Sequence, residues 1–173
     1  AGGWIVTFYD SSAAGDGYVR AQIFDSSGAK VGAEIAVPTT LFSTQRNPSV
    51  AVNADGSFVI AWEANRSGVG LEIIAQRFNA NGAKVGAELT LNSTATSTQQ
   101  LVEITALAGG GFAAAWESYD QDSGVNDYGI ITRVFNPNGT PASAEVVTNT
   151  YQAGSQVNAA IAALTGGGSG VVW

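Results

Sequence analysis

A short strand-like phrase recurs along the chain, and its hydrophobic pattern predicts the same element each time. Each full copy follows a glycine turn and begins and ends on a large aromatic residue, with β-branched residues or alanines between them. Segments of this kind, bounded by turn residues, are typical of β-strands. Side chains alternate along a strand, so the aromatics fall on one face and the smaller apolar residues on the other. Because both faces are apolar, we expect burial on both sides at residues 4–8, 58–62 and 112–116.

The copies follow one another at a nearly constant spacing, which divides the chain into repeats. Gly56 and Gly110 each lie 54 residues after the glycine that begins the preceding copy, and Gly167 lies 57 residues after Gly110. A fixed spacing of this size is the signature of a repeat architecture. The whole chain, residues 1–173, is therefore predicted to be one repeat domain, with units at 2–55, 56–109 and 110–166 and the start of a fourth at 167–173.

Three further strand-like segments follow the recurring phrase in each unit, and no window has helical periodicity. They cover 18–24, 72–78 and 129–135 for the second segment, 34–37, 88–91 and 145–148 for the third, and 49–52, 103–106 and 160–163 for the fourth. A four-stranded unit cannot bury both of its faces alone, so units must stack. We predict an all-β fold, a β-propeller-like array of four-stranded blades. A β-solenoid is the alternative, and a β-sandwich ranks third.

The number of units and the composition set expectations about assembly. Three full repeats fall short of the 4–8 blades of a closed propeller. The chain also contains no Met. We therefore expect a processed or excised piece of a longer protein. Partners would be neighbouring repeats of a longer chain, or other copies through self-association.

Charge and missing residue types exclude several function classes. Seven basic and fourteen acidic residues give a net charge of −7, and basic residues form no cluster, which argues against a nucleic-acid partner. The absence of Cys excludes disulfides and thiolate metal sites, and the absence of His excludes a Ser-His-Asp triad. No apolar run reaches the roughly 20 residues of a membrane span.

Two segments of the second unit carry a family resemblance. Residues 54–62 and 74–86 resemble repeats of large secreted bacterial proteins, both adhesin-like and RTX-type calcium-binding proteins. The resemblance implies a propeller-like, extracellular or cell-surface module that is structural or adhesive, is not an enzyme, and binds calcium as a stabilising ion. Ser169 departs from the repeat by replacing the first aromatic of the last copy, and Pro141 and Ala142 replace the pair Lys84 and Val85.

The loop between the first two strands of the third unit is the best candidate for chemistry. It contains the three extra residues of that unit and several oxygen-bearing side chains. Ca²⁺ prefers six to eight oxygen ligands, so this loop is a candidate calcium site, and a solvated acidic loop is the alternative. Tyr119 and Tyr128 flank the loop and are candidates for stacking on a surface glycan. The predicted calcium ligands are Asp120, Asp122, Asn126 and Asp127.

Other recurrent polar residues are assigned to structure rather than to catalysis. Repetition in every unit favours structural roles for the glutamates at 34, 88 and 145 and for the glutamines at 45, 99 and 156. Glycoside hydrolysis needs two carboxyl groups across one cleft. Glu63 and Glu117 follow the strand aromatic, but no spacing selects a catalytic pair. The expected function is therefore a non-enzymatic module; the alternatives are a carbohydrate-binding propeller (a lectin) and a fragment of a propeller hydrolase.

Overall fold

The fold is all-β and built from antiparallel sheets in chain order. The structure is a computed structural model that describes residues 2–11, 18–40, 42, 44–66, 70–95, 97–119, 121–122 and 126–173. Thirteen strands and no helix occur in these ranges. Accordingly, no described segment offers a helix that is long and apolar enough to cross a membrane. The predicted all-β class is confirmed.

Within each sheet the strands pair in sequence order, and four such meander sheets follow one another along the chain. The first sheet contains three strands, the second and third contain four, and the fourth contains two. They are β1 (Trp4–Asp10), β2 (Tyr18–Phe24) and β3 (Lys30–Ala36); β4 (Gln45–Val52), β5 (Phe58–Ala64), β6 (Glu72–Phe78) and β7 (Lys84–Thr90); β8 (Gln99–Ala106), β9 (Phe112–Tyr119), β10 (Tyr128–Phe135) and β11 (Val146–Val147); β12 (Ala160–Ala163) and β13 (Ser169–Val172).

Successive sheets pack face to face through the alternation that the sequence predicts. In the second sheet, Phe58 and Trp62 belong to the buried cluster shared with the first sheet. Val59 and Ala61, on the opposite face of the same strand, belong to the cluster shared with the third sheet. A large-residue face thus meets the small-residue face of the preceding sheet, and the predicted two-sided burial is confirmed for this strand.

The four tryptophans do not share one environment, although each stands in a copy of the recurring phrase, and this pattern predicts that all four lie in the core. Trp62 and Trp116 are buried as expected, but Trp4 is 50% exposed and Trp173 is 52% exposed. The prediction is wrong for these two residues. Trp4 stacks on Phe24 of its own sheet at a ring separation of 4.1 Å. In the described structure, however, no further sheet covers the face of the first sheet that carries Trp4.

The first strands of the second, third and fourth sheets lie side by side. Strand β4 contacts β8, and β8 contacts β12; we call these three the inner strands. β4 and β8 begin four residues earlier than the apolar pattern predicts. Each contains a register shift, between Arg46 and Ser49 in one and between Gln100 and Glu103 in the other. The first two residues of each strand, Gln45 and Arg46 in β4 and Gln99 and Gln100 in β8, are polar and pair ahead of the bulge, so they give no strand signal in the sequence.

The outer edge of the third sheet is shorter than that of the second. In the second sheet, Gln76 Nε2 donates to the carbonyl oxygens of Arg77 and Val85 and so bridges β6 and β7. Arg133 occupies the equivalent place in the third unit and donates instead to the Ser143 carbonyl oxygen. Pro141, which has no backbone N–H to donate, makes only an isolated bridge. Strand β11 is therefore reduced to two residues.

The recurrent glutamates of the outer strands join neighbouring units. The Glu88 carboxylate accepts hydrogen bonds from the backbone N–H groups of Thr39 and Thr40 in the preceding unit. Glu145 accepts the backbone N–H of Ser93 in the same way. Such charge-assisted bonds satisfy donors in a loop that has no strand partner. The predicted structural role is confirmed for these two residues.

Candidate functional site

A cavity of about 380 Å³ opens where the inner strands begin. Its walls come from three successive units, so no single repeat could form it. We call it the inner-strand pocket. It is lined by Asn47, Pro48, Leu101, Val102, Glu103, Asn158 and Ala159.

Three residues of this wall have left-handed backbone conformations. Asn47, Leu101 and Asn158 occupy equivalent repeat positions, and their φ angles are 49°, 50° and 60°. Asparagine tolerates this conformation, whereas a leucine there is strained by roughly 1–2 kcal/mol. Strain of this kind accumulates at functional sites. The backbone of Leu101 therefore marks the pocket as a candidate site.

Two buried carboxylates lie behind the wall and hold these residues. Glu63 and Glu117 follow the strand tryptophan on β5 and β9, and their exposed fractions are 0% and 1%. Glu63 Oε1 accepts the backbone N–H of Leu101 at 2.7 Å. Glu117 Oε1 accepts the backbone N–H of Asn158 at the same distance. Each carboxylate thus reaches from one sheet to the left-handed residue of the next.

The second oxygen of each carboxylate is also satisfied, with different partners. Glu63 Oε2 accepts Arg46 Nε at 2.9 Å, and its Oε1 also accepts Asn47 Nδ2 at 2.7 Å. Glu117 Oε2 accepts the neutral Gln100 Nε2 at 2.9 Å. Both carboxylates are therefore held in hydrogen bonds and are poorly placed to meet a ligand directly.

Glu103 is the carboxylate that faces the pocket. Its side chain is exposed, and Oε2 accepts the Ser49 hydroxyl at 2.9 Å. Ser49 is itself fixed, because its Oγ accepts the backbone N–H of Ile104 at 3.2 Å. The inner strands thus present one oriented carboxylate to solvent. Such a group can bind a hydroxyl or exchange a proton with a ligand.

Sequence reasoning missed Glu103 as a site residue. The apolar pattern placed it at the start of an inner strand, where it looked like a strand-boundary residue. The equivalent positions carry Ser49 and Ala160, so the carboxylate occurs in one unit alone. Glu103 could have been found because it departs from the repeat, since a purely structural residue would be expected to recur in each unit.

The predicted calcium loop lies between β9 and β10, and none of its described residues lines the pocket. Asp120 falls outside the described residues. Asp122 Oδ2 accepts Asn149 Nδ2 at 3.1 Å. Asp127 is only 7% exposed, and its Oδ1 has no hydrogen-bond partner among the described residues. Within the described ranges, no group of three or more Asp, Glu, His or Cys residues is placed to hold a metal ion.

Asn126 and the two predicted ligand-binding tyrosines border the same loop. Asn126 adopts a left-handed conformation with φ of 61°. Tyr119 and Tyr128 pair across β9 and β10, and their rings meet edge to face at 5.1 Å. Burial raises the pKa of Tyr128, and the nearby Glu117 carboxylate raises it further. The tyrosines pack partly on each other, which reduces the ring area open to a sugar.

Comparison with known proteins supports the fold and corrects the functional prediction. No protein-family model and no curated protein sequence matches the chain. An endo-arabinase from Bacteroides thetaiotaomicron VPI-5482 shares the fold with a TM-score of 0.62 and 16% sequence identity. The alignment covers 98% of this chain and 65% of the endo-arabinase. At this identity the likeness establishes the fold alone.

The prediction of a non-enzymatic structural or adhesive module is wrong by this comparison. A solved protein that shares the fold, the endo-arabinase, is a glycoside hydrolase. The resemblance to adhesin-like and RTX-type repeats rested on two segments of the second unit, which encode strands and turns. Such segments report how sheets are built and stacked, and an enzyme can be built from the same sheets.

Proposed function

We propose that this chain forms a β-propeller-like array that cleaves glycosidic bonds in a polysaccharide at the inner-strand pocket. Consecutive four-stranded meander sheets with neighbouring inner strands support the propeller-like interpretation. The fold shared with an endo-arabinase supports the reaction class. Because the chain spans 65% of that enzyme, activity and substrate are both part of the proposal.

The observation that carries the proposal is the oriented carboxylate of Glu103 in a pocket formed by three units. Cleavage of a glycosidic bond uses two carboxyl groups, one as general acid and the other as base or nucleophile. Glu103 supplies one of these groups and is the only carboxylate among the described residues that line the pocket, so the second carboxyl group comes from outside this lining. The Ser49 hydroxyl fixes its Oε2, which leaves the other oxygen for the substrate.

A polysaccharide panel tests this function directly. The purified chain is incubated with debranched arabinan, the first choice given the fold neighbour, and with xylan, galactan and β-glucan. We expect new reducing ends from at least one polymer, with viscosity falling early because cuts occur inside the chain. Folded protein that releases no reducing ends from any of them would contradict the proposal, even if it binds a polymer.

We also propose that Ca²⁺ stabilises the loop between β9 and β10. The support is Asp127, whose buried Oδ1 has no hydrogen-bond partner in the described part of the chain, although burying an unpaired carboxylate oxygen is costly. A ligand that binds only the folded state raises the melting temperature. At about 100-fold excess over Kd, Ca²⁺ should raise Tm by about 5 °C or more in the natural sequence.

The calcium proposal has a matched pair of variants. Asp127→Asn should lose the Ca²⁺-dependent rise in Tm. Asp55→Asn removes an exposed carboxylate in the turn between β4 and β5 and should keep the rise. Differential scanning fluorimetry with and without chelator measures both. An unchanged Tm for the natural sequence in millimolar Ca²⁺ would refute the proposal.

A polysaccharide substrate also bears on location and partners. We propose an extracellular or cell-surface place of action with glycans as the partner. Association with neighbouring repeats or with other copies of the chain stays a prediction from the repeat count.

A further inference from the structure

The contact made by Glu63 recurs in the next unit with the same distances. In each case Oε1 accepts a left-handed backbone N–H at 2.7 Å, from Leu101 for Glu63 and from Asn158 for Glu117. In each case Oε2 accepts a side chain 17 residues earlier at 2.9 Å. Because the same contact occurs at equivalent positions of two units, it belongs to the repeat architecture and not to the packing of one unit alone.

The bulge explains why Leu101 needs such a partner. The register shift between Gln100 and Glu103 leaves this stretch of β8 without regular ladder pairing to β9. A buried backbone N–H without an acceptor destabilises the fold, and a charge-assisted bond satisfies it strongly. The buried carboxylate of Glu63 fills this need from the neighbouring sheet and holds the strained conformation of Leu101 in place.

Glu63 differs from Glu117 because it also binds a pocket-lining side chain. Its Oε1 accepts both the Leu101 N–H and Asn47 Nδ2, and these residues belong to β8 and β4. One buried carboxylate therefore joins two inner strands at the pocket wall. Glu103 lies two residues beyond Leu101 on the same strand, so the backbone that Glu63 fixes also carries the exposed carboxylate.

We infer that Glu63 is a positioning residue of the inner-strand pocket, which fixes Leu101 and Asn47 directly and Glu103 through Leu101. The inference rests on the proposed function for its effect on catalysis. Its structural part, the dependence of Leu101 and Glu103 on Glu63, does not require any activity. Displacing a catalytic group by about 1 Å can cost about 100-fold in rate.

The test compares Glu63→Ala with Glu88→Ala. Glu88 also accepts backbone N–H groups from a neighbouring unit, but its partners Thr39 and Thr40 do not line the pocket. Amide hydrogen exchange and the NMR signal of the Glu103 carboxyl carbon are measured in both variants. We expect exchange at Leu101 to quicken by at least about tenfold and the Glu103 signal to shift in Glu63→Ala only. Equal effects in both variants, or none in either, would overturn the inference.

Steady-state kinetics add a measurement that would not change if Glu63 only stabilised the fold. On a polymer that the natural sequence cleaves, Glu63→Ala should lower kcat by about 10- to 100-fold with little change in KM, and Glu88→Ala should leave kcat unchanged. Glu63→Gln keeps an acceptor for the Leu101 N–H and should recover most of kcat. If Glu63→Ala does not fold, Glu63→Gln is compared with Glu88→Ala instead. In that case, a loss of kcat with unchanged amide hydrogen exchange at Leu101 would contradict positioning through Leu101. If the natural sequence cleaves nothing, the proposed function fails while the NMR comparison still decides the structural part.

Discussion

Glu103→Gln is expected to lower kcat/KM for polysaccharide cleavage by about 10²- to 10⁴-fold. This range is typical for the loss of a positioned acid or base. The substitution keeps the size of the side chain and an oxygen for the Ser49 hydroxyl, so the pocket should keep its shape. It removes the group that can exchange a proton with the glycosidic oxygen or with water. Reducing-end release from the best substrate of the panel measures the effect.

Two further variants separate the role of Glu103 from a general effect of charge. Ser49→Ala removes the hydroxyl that orients Glu103 and should reduce kcat by a smaller factor, about tenfold. Glu34→Gln removes a carboxylate on the exposed strand β3 and should leave activity unchanged. Full activity in Glu103→Gln would show that the reaction does not depend on this carboxylate.

Trp116→Ala is expected to be the most destabilising single substitution in the core, by about 3–5 kcal/mol. Trp116 is fully buried between the second and third sheets. Its Nε1 also donates to Gln99 Oε1 at 2.9 Å, so the variant leaves a buried amide oxygen without this partner. A natural domain is stable by only about 5–15 kcal/mol, so this loss would threaten folding at ordinary temperatures. Urea unfolding followed by circular dichroism measures the change.

An exposed aromatic provides the control for this effect. Tyr151 is 72% exposed, and Tyr151→Ala should change the free energy of unfolding by no more than about 0.5 kcal/mol. Similar losses in Trp116→Ala and Tyr151→Ala would mean that stability does not reside in the packing between sheets.

Strand positions and stacking could be predicted because they follow from local alternation of side chains. Phe58 and Val59 are adjacent in sequence and belong to different buried clusters, as a period of two requires. The recurrence of the same alternation in each unit made the repeat visible. Exposure of Trp4 could not be predicted this way, because burial of its face depends on a neighbouring sheet rather than on its own strand.

The candidate site could not be predicted, because the features that form it leave no pattern in the local sequence. The bulge separates the polar residues Gln99 and Gln100 from the rest of β8, so the start of this strand resembled a loop in the sequence. The left-handed conformation of Leu101 cannot be expected from a leucine, since it is held by Glu63 from another sheet. Pairs such as Ser49 and Glu103 are 54 residues apart, and only the packing of inner strands brings them together.

The functional prediction was wrong because it was drawn from what the units share. Shared residues such as Glu88 and Glu145 build the contacts between units. Glu103 is informative because its equivalents, Ser49 and Ala160, carry no carboxylate. In a repeat protein, chemistry is better sought where one unit departs from the others at a position facing a pocket.

Mapping of an oligosaccharide by amide chemical shifts tests the central claim most directly. A fragment of the best-cleaved polymer is titrated into ¹⁵N-labelled Glu103→Gln protein, which should bind it and cleave it only slowly. We predict that the largest shifts occur at Asn47, Leu101 and Asn158, the three left-handed residues of the pocket wall. Shifts confined to the turns at the opposite ends of the strands, such as residues 79–82, would contradict the assignment of the inner-strand pocket as the substrate site.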